Sequence, residues 1–211
     1  MILQHHHYPS YYITRLQYHN EMVNPMRLIV GLSGASGIIY GIRMLEVLHD
    51  LKIETDLVMT GMAEKMVEIE TSRSVEQVRD FATRCHDNSD FTSVLASGGY
   101  RTMGMVVLPC SMKTLAGIAC GFADNLLLRA ADCTLKERRP LILVPRETPL
   151  NLIQLKNMVT LAESGVTILP AAPGFYHRPE TIDDLVDHIV GKTLDVFGVD
   201  HHLYHRWRQD F

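Results

Sequence analysis

The chain has 211 residues, of which 20 are Lys or Arg and 24 are Asp or Glu, so its formal net charge is −4. This length suits one α/β domain with a full core, and a mildly acidic charge balance without a basic stripe argues against nucleic acid as the main partner. The apolar runs fall short of the roughly 20 residues that span a bilayer. Four cysteines without a CxxC pair predict reduced thiols in a cytoplasmic protein.

Residues 1–25 differ from the rest of the chain. They are rich in His, Tyr and Asn and lack a helical or strand period. They contain no apolar h-region, so they do not read as a secretory signal. We predict an N-terminal extension over 1–25, disordered or non-native, and a single domain over 26–211.

From Met26 onward, predicted strands alternate with predicted helices. The predicted strands are 28–32, 55–59, 105–108, 141–144 and 166–169, and the predicted helices are 38–51, 62–71, 75–81, 114–138 with a break near 121–124, 150–163 and 182–197. Residues 85–102 are polar, rich in Gly and Ser and aperiodic, which predicts a loop. Strands separated by helices predict a doubly wound parallel sheet.

Three predicted strands run directly into small or charged turns. Because the carboxyl ends of parallel strands share one edge of the sheet, these turns should converge on one crevice. The residues that they bring there are Ser33, Gly34, Ser36, Ser111, Lys113, Thr114, Arg146 and Glu147. A set of anion donors with one carboxylate indicates a phosphate-bearing ligand with acid–base chemistry beside it.

Taken alone, each turn has a structural alternative. The run 31–37 misses the G-x-G-x-x-G spacing, and the second strand ends at Met59-Thr60 without the acidic residue of a dinucleotide site. A nicotinamide dinucleotide is therefore disfavoured, whereas a mononucleotide phosphate or a plain tight turn both fit. The turn 109–114 equally suits a capped helix. Phe175 and Tyr176, after the last strand, are either core residues or the wall of an apolar ligand pocket.

Four segments in this order and spacing resemble the UbiX-like flavin prenyltransferases. They are GLSGASGIIYGIR, LPCSMKTLAGIA, LLLRAADCTLKERRPLILVPRETPL and LPAAPGFYHRP. The resemblance implies a three-layer αβα, Rossmann-like (flavodoxin-like) fold in a homododecamer with sites at subunit interfaces. It implies an enzyme that joins the dimethylallyl group of dimethylallyl monophosphate to reduced FMN without a metal. The product, prenylated FMN, would serve a UbiD-type decarboxylase.

The resemblance also implies roles for individual residues. The expected FMN contacts are Gly34, Ala35, Ser36, Thr60, Ser111, Met112, Lys113, Thr114 and Arg146. The expected prenyl phosphate contacts are Arg129, Lys136, Tyr176 and Lys192, and the expected catalytic residues are Ser36, Glu70, Lys136 and Glu147. Lys192 stands where the family more often has Arg, so it keeps the charge and loses the bidentate fork.

Two other functions stay open at this point. The first is an FMN-dependent decarboxylase acting on a cysteinyl carboxylate, although the catalytic His and the P-x-M-N signature of that group are not found, and the matching region is 121–126. The second is a non-catalytic FMN-binding subunit of a decarboxylase. The presence of Glu70, Lys136 and Glu147 argues against this second reading.

Overall fold

The computed structural model describes residues 26–207, so the predicted extension over 1–25 lies outside the described residues. The described part of the chain contains one six-stranded sheet in which every neighbouring pair is parallel. The strands are β1 (Arg27–Leu32), β2 (Glu54–Met59), β3 (Arg84–His86), β4 (Gly104–Cys110), β5 (Leu141–Pro145) and β6 (Thr167–Ile168). Their order is β3-β2-β1-β4-β5-β6, which confirms the predicted doubly wound parallel sheet.

Helices cover both faces of this sheet. They are α1 (Ile38–Asp50), α2 (Gly61–Glu70), α3 (Val75–Arg79), α4 (Met112–Ala119), α5 (Leu126–Lys136), α6 (Leu152–Glu163) and α7 (Ile182–Phe197). One buried core lies between the sheet and α1, α2, α3 and α7, and a second lies between the sheet and α4, α5 and α6. The molecule is thus the three-layer αβα sandwich of the expectation. Within 26–207, none of the helices has the length and apolar character needed to cross a membrane.

The strands form as they do because both of their faces are covered. In β1, Leu28 and Val30 enter the first core and Ile29 enters the second, and all three are at most 3% exposed. A strand that is buried on both faces reads as a continuous apolar run, and this is the signal that located β1, β4 and β5 in the sequence.

Two details of the sequence prediction were wrong. Residues 85–102 are not all loop, because Arg84–His86 form the edge strand β3 beside β2. That strand is short and polar, so it carries no apolar period. The strand predicted over 105–108 is also too short, since β4 continues through Pro109 to Cys110 with a register shift against β5 after Val107. A proline without an N–H is accommodated at such an irregularity.

Helix α1 packs closely enough on the sheet to require a glycine at position 41. A Cβ at Gly41 would lie 2.3 Å from the carbonyl oxygen of Leu108 and 2.4 Å from Cδ2 of Leu32. The carbonyl belongs to the β4 backbone and cannot rotate away, so α1 itself would have to move outward.

We therefore expect Gly41→Ala to lower the free energy of unfolding by about 1–3 kcal/mol through overpacking, measured by urea denaturation. The control is Gly61→Ala in α2, where a Cβ meets nothing within 4 Å. Equal stability of the Gly41 variant and the wild type would contradict the close approach of α1.

Candidate active site

The carboxyl ends of β1 and β4 are joined by Ser33. Its side chain is fully buried, its Oγ donates a hydrogen bond to the carbonyl oxygen of Pro109 at 2.9 Å, and the same Oγ accepts one from the Ser111 N–H at 2.7 Å. The Ser33 N–H also donates to the Pro109 carbonyl at 3.2 Å. The predicted convergence of these two turns is thus confirmed. The strand order reverses between β1 and β4, and open α/β sheets bind their ligands at that place.

The turn after β5 joins the same edge through Arg146. Its Nε donates to the carbonyl oxygen of Ser36 at 3.0 Å, which connects the third turn to the first. Ser36 itself is exposed. Glu147, the next residue along, is exposed, and its Oε1 accepts the N–H of Thr148 at 3.1 Å. A guanidinium, a hydroxyl and a carboxylate therefore lie on the solvent side of one sheet edge.

Glu70 reaches this edge from the end of α2. Its Oε2 accepts the backbone N–H groups of Gly37 at 2.9 Å and Ile38 at 3.0 Å, where α1 begins. The free N–H groups and the dipole of a helix N-terminus favour an anion, and here a carboxylate supplies it. Gly37 has φ +96°, a conformation that suits a residue without a Cβ.

Thr60 and Ser111 are both helix N-caps. The Oγ1 of Thr60 accepts the Ala63 N–H at 3.1 Å, and the Oγ of Ser111 accepts the Thr114 N–H at 3.3 Å. Ser111 also donates to Oγ1 of Thr114 at 3.1 Å. Because α2 and α4 begin directly after β2 and β4, their positive ends lie at the carboxyl edge of the sheet. Met112 and Lys113 form the first turn of α4, and Gly34 and Ala35 lie in the turn after β1.

Arg129 and Lys136 belong to α5 and lie away from the three turns at the carboxyl edge of the sheet. Arg129 donates to the carbonyl oxygen of Ala96 at 3.1 Å and to Asp132 at 2.6 Å. Lys136 ends α5 and donates to Glu137 at 2.5 Å. Because α5 leads into the amino end of β5, Lys136 lies toward the opposite edge of the sheet from Arg146. One chain therefore does not bring the expected Arg129 and Lys136 together with the three turns.

Tyr176 and Lys192 belong to a third group, formed by the loop after β6 and by α7. Tyr176 is 43% exposed, and its ring lies edge-on to the ring of Trp207, with centroids 5.5 Å apart. The Nζ of Lys192 lies 3.6 Å from a carboxylate oxygen of Asp195, one turn further along α7.

Asp195 also binds the segment that follows α7. It accepts hydrogen bonds from Tyr204 at 2.5 Å and Arg206 at 2.5 Å, and His201 lies 3.1 Å away. Burial alone would raise the pKa of this carboxyl, but the hydrogen bonds from Arg206, Tyr204 and His201 outweigh it and lower the pKa to about 2. Asp195 therefore remains an anion beside Lys192 throughout the neutral range.

Sequence reasoning missed a buried polar cluster around Asp56. The side chain of Asp56 is fully buried in β2, and it accepts hydrogen bonds from Arg84 at 3.0 Å and Tyr100 at 2.8 Å, while His86 Nε2 lies 2.9 Å away. The other ring nitrogen of His86 lies 2.8 Å from the Oγ of Ser93. This cluster holds the segment 84–100 on the sheet. The available signal was an aspartate in the middle of an otherwise buried strand.

Electrostatics keep that aspartate charged. Burial raises the pKa of Asp56, but hydrogen bonds from His86 and Tyr100 and the charge of Arg84 outweigh it, so the net shift is downward. Burial, together with the hydrogen bond to Asp56, raises the pKa of Tyr100 to about 12. At neutral pH, Asp56 is therefore an anion and Tyr100 is uncharged.

The donor set at the sheet edge fits a mononucleotide phosphate. It combines the N-termini of α2 and α4, the exposed hydroxyl of Ser36 and the guanidinium fork of Arg146, which are groups of the kind that bind phosphate oxygens in proteins. Between Met26 and Trp207, no group of three or more His, Cys, Asp or Glu side chains is arranged to hold a metal ion. A parallel sheet with such donors at its switch point defines a mononucleotide-binding α/β protein.

The comparisons with known proteins agree with this class. A family described as Flavoprotein matches residues 16–194. The flavin prenyltransferase UbiX of Thauera aromatica is 50% identical over 182 residues, which cover 86% of this chain and 94% of that protein. The chain therefore belongs to the Flavoprotein family and, within it, to the UbiX flavin prenyltransferases.

Two solved structures share the fold of this chain at 44% and 48% identity. The structure of AnUbiX (PadA1) in complex with FMN and dimethylallyl pyrophosphate has a TM-score of 0.85 and 44% identity, covering 86% of this chain and 97% of that one. The dodecameric FMN-dependent Ubix-like decarboxylase of Escherichia coli O157:H7 also has a TM-score of 0.85, with 48% identity and coverage of 86% and 99%.

Proposed function

We propose that this chain is a flavin prenyltransferase that joins the dimethylallyl group of dimethylallyl monophosphate to reduced FMN, and that the product serves a UbiD-type decarboxylase. The observation that carries the proposal is the junction of three turns at the switch point, where Ser33 links β1 to β4 and Arg146 bonds to Ser36. The identity to the Thauera UbiX and the FMN and dimethylallyl pyrophosphate bound by AnUbiX support it.

In this proposal the sheet edge binds the flavin phosphate. The contacts come from the turn residues and helix N-termini, namely Gly34, Ala35, Ser36, Thr60, Ser111, Met112, Lys113, Thr114 and Arg146. Reduced FMN, when bound, supplies the ring that accepts the prenyl group. The protein's own part is to position the allylic phosphate against that ring and to keep water away from it.

The leaving phosphate gains negative charge as the allylic C–O bond breaks. Arg129, Lys136 and Lys192 are the cations proposed to stabilise that charge, with Tyr176 as a hydroxyl donor. Glu147 and Ser36 are proposed to move a proton to or from the phosphate, and Glu70 holds the N–H groups where α1 begins. Because Arg129 and Lys136 lie away from the turns within one chain, we propose that a second copy supplies them. The dodecameric relative supports such a shared site.

The test is to incubate the purified protein anaerobically with reduced FMN and dimethylallyl monophosphate and to take the mass of the released flavin. We expect the mass to rise by one prenyl unit, and we expect the same gain in EDTA because the scheme needs no metal. A parallel reaction with the pyrophosphate determines which ester is the substrate. A UbiD-type decarboxylase that lacks its cofactor should become active only when this product is added to it.

Bound but unmodified FMN would contradict the proposed transfer. Because the E. coli relative is described as a decarboxylase, the same samples are assayed for carbon dioxide release from a cysteinyl peptide. Release would favour the decarboxylase reading, and neither product would favour a non-catalytic subunit. Loss of transfer in EDTA would contradict the metal-free scheme. The cytoplasmic location inferred from the cysteines stays a prediction.

A further inference from the structure

His188 of α7 is the centre of an aromatic cluster that the proposed chemistry does not use. The residue is 7% exposed. Its ring stacks on His177 with centroids 5.0 Å apart and planes 3° apart, lies edge-on to Tyr176 at 5.7 Å and packs against Tyr204 at 4.9 Å. His188 therefore contacts both the loop after β6 and the segment that follows α7.

The hydrogen bonds of His188 determine its protonation state. Its Nδ1 accepts the backbone N–H of Gly174 at 3.3 Å, and an imidazole nitrogen can accept only when it carries no proton. Among the described residues, the buried Nε2 has no hydrogen-bond partner, and the same is true of both ring nitrogens of His177. The packed arrangement therefore requires neutral His188, because protonation would remove the Gly174 contact and place a charge among desolvated rings.

The two segments that meet at His188 carry the groups proposed to bind the prenyl phosphate. Tyr176 lies two residues from Gly174, and Lys192 lies one turn after His188 on α7. A Cβ at Gly191 would lie 2.6 Å from the Tyr204 ring, so the C-terminal segment rests directly on the α7 backbone.

Resting on the proposed function, we propose that neutral His188 is a positioning residue for the prenyl phosphate site. Its ring holds the loop with Gly174 and Tyr176 against α7 and against the segment with Tyr204 and Trp207. It thereby sets where the Tyr176 hydroxyl lies relative to Lys192.

The pH dependence follows from the groups that face the ring. Burial first, and then the charges of His177 and Lys192, lower the pKa of His188 below 6.5, while Asp195 acts in the opposite direction. Tyr176 and Tyr204 also face the ring, and burial first, followed by the hydrogen bond to Asp195, raises the pKa of Tyr204 above its ordinary value. A packed state that favours the neutral form is fully stabilised above pH 6.5, and this stabilisation is lost as the pH falls below 6.5.

The chain provides its own probe, because Trp207 is its single tryptophan and packs edge-on against Tyr176. We would record Trp207 fluorescence of the full chain, with and without FMN, between pH 4.5 and 8, values chosen to bracket the ordinary imidazole pKa of about 6.5. The wild type should show a transition with a midpoint below 6.5. His188→Phe keeps a ring but neither accepts nor titrates, so its fluorescence should stay flat across that transition.

Steady-state kinetics at pH 7.5 provides the second measurement. We expect His188→Ala to raise KM for dimethylallyl monophosphate roughly tenfold with kcat within about threefold, since only positioning is lost, and to leave FMN binding unchanged. His188→Phe should keep a KM within about threefold of the wild type at this pH. The control is His49→Ala, an exposed histidine of α1, which should behave as the wild type in both measurements.

Either of two outcomes would overturn the proposal. One is a fluorescence transition that persists in His188→Phe, and the other is an unchanged KM in His188→Ala. The fluorescence arm needs no turnover, so it tests His188 even if no prenylated flavin forms. If no prenyl transfer occurs but the fluorescence transition is seen in the wild type and is absent from His188→Phe, the proposed function is contradicted and the packing role of His188 is not.

Discussion

Replacing Glu147 by Gln should lower the turnover of prenyl transfer by about 10²–10⁴-fold while FMN stays bound. Glutamine has nearly the same size and keeps an oxygen that can accept the Thr148 N–H, so the turn after β5 should keep its shape. It cannot exchange a proton, and loss of a general acid or base costs a factor of this order. Turnover is measured by the mass of the flavin product, and FMN retention by visible absorbance after dialysis.

The matched control is Glu163→Gln at the exposed end of α6, which should leave turnover within twofold of the wild type. Full activity of the Glu147 variant would assign the proton transfer to another group, and loss of bound FMN would show that Glu147 acts in binding. The comparison of the two variants thus separates a local chemical effect from a general loss of charge.

Replacing Asp56 by Asn should destabilise the fold by about 3–5 kcal/mol. The carboxylate is fully buried and accepts hydrogen bonds from Arg84 and Tyr100 with His86 alongside, and removing one member of a buried charged cluster leaves the others without compensation. Because Arg84 is itself 43% exposed, the lower end of that range is the expected result. Urea denaturation at pH 7 measures the difference.

The pH dependence of this difference checks the cause. The pKa of Asp56 is lowered in the folded state, so its charge stabilises the fold above the ordinary value of 3.8, and this contribution is lost as the pH falls further. The gap between wild type and Asp56→Asn should therefore narrow below about pH 4. Glu54→Gln, which removes the ion pairs of a 48% exposed carboxylate with Arg27 and Arg84, should cost at most about 1 kcal/mol. If the difference in the free energy of unfolding stays constant down to acid pH, the effect of Asp56→Asn is due to packing and not to the lost charge.

Much of the fold follows from patterns that are local in the sequence. The buried strands β1, β4 and β5 are short apolar runs, and α7 begins and ends at the predicted residues, 182 and 197, because Thr181 caps its start and Gly198 its end. The strand β3 escaped prediction because its three residues are Arg, Cys and His, and it is recognised only by its pairing with β2. Pairing between strands depends on long-range contacts that no local period records.

In the candidate site, too, some features follow from the sequence and others depend on long-range contacts. Convergence of the turns at Ser33 and Arg146 follows from parallel topology alone, so the sequence order was sufficient to predict it. The hydrogen bonds of Glu70 to Gly37 and Ile38 join residues more than thirty positions apart, and only the family resemblance singled out Glu70. Lys136 is separated from these turns because α5 runs toward the amino end of β5. A family resemblance matches residues one by one along the chain, so it contains no information on this direction.

The buried hydroxyl of Ser33 has a consequence for the energetics of ligand binding. The hydrogen-bond partners of the Ser33 hydroxyl are backbone atoms of Pro109 and Ser111, so the bonds that tie the turns after β1 and β4 together lie within the protein. We therefore expect the conformational entropy of these turns to be lost when the protein folds and not when FMN binds. The turns after β1 and β4 are thus preorganised for ligand binding. Superposed flavin-free and flavin-bound structures should differ little at these turns, and calorimetry should detect no ordering of the turn backbone on binding.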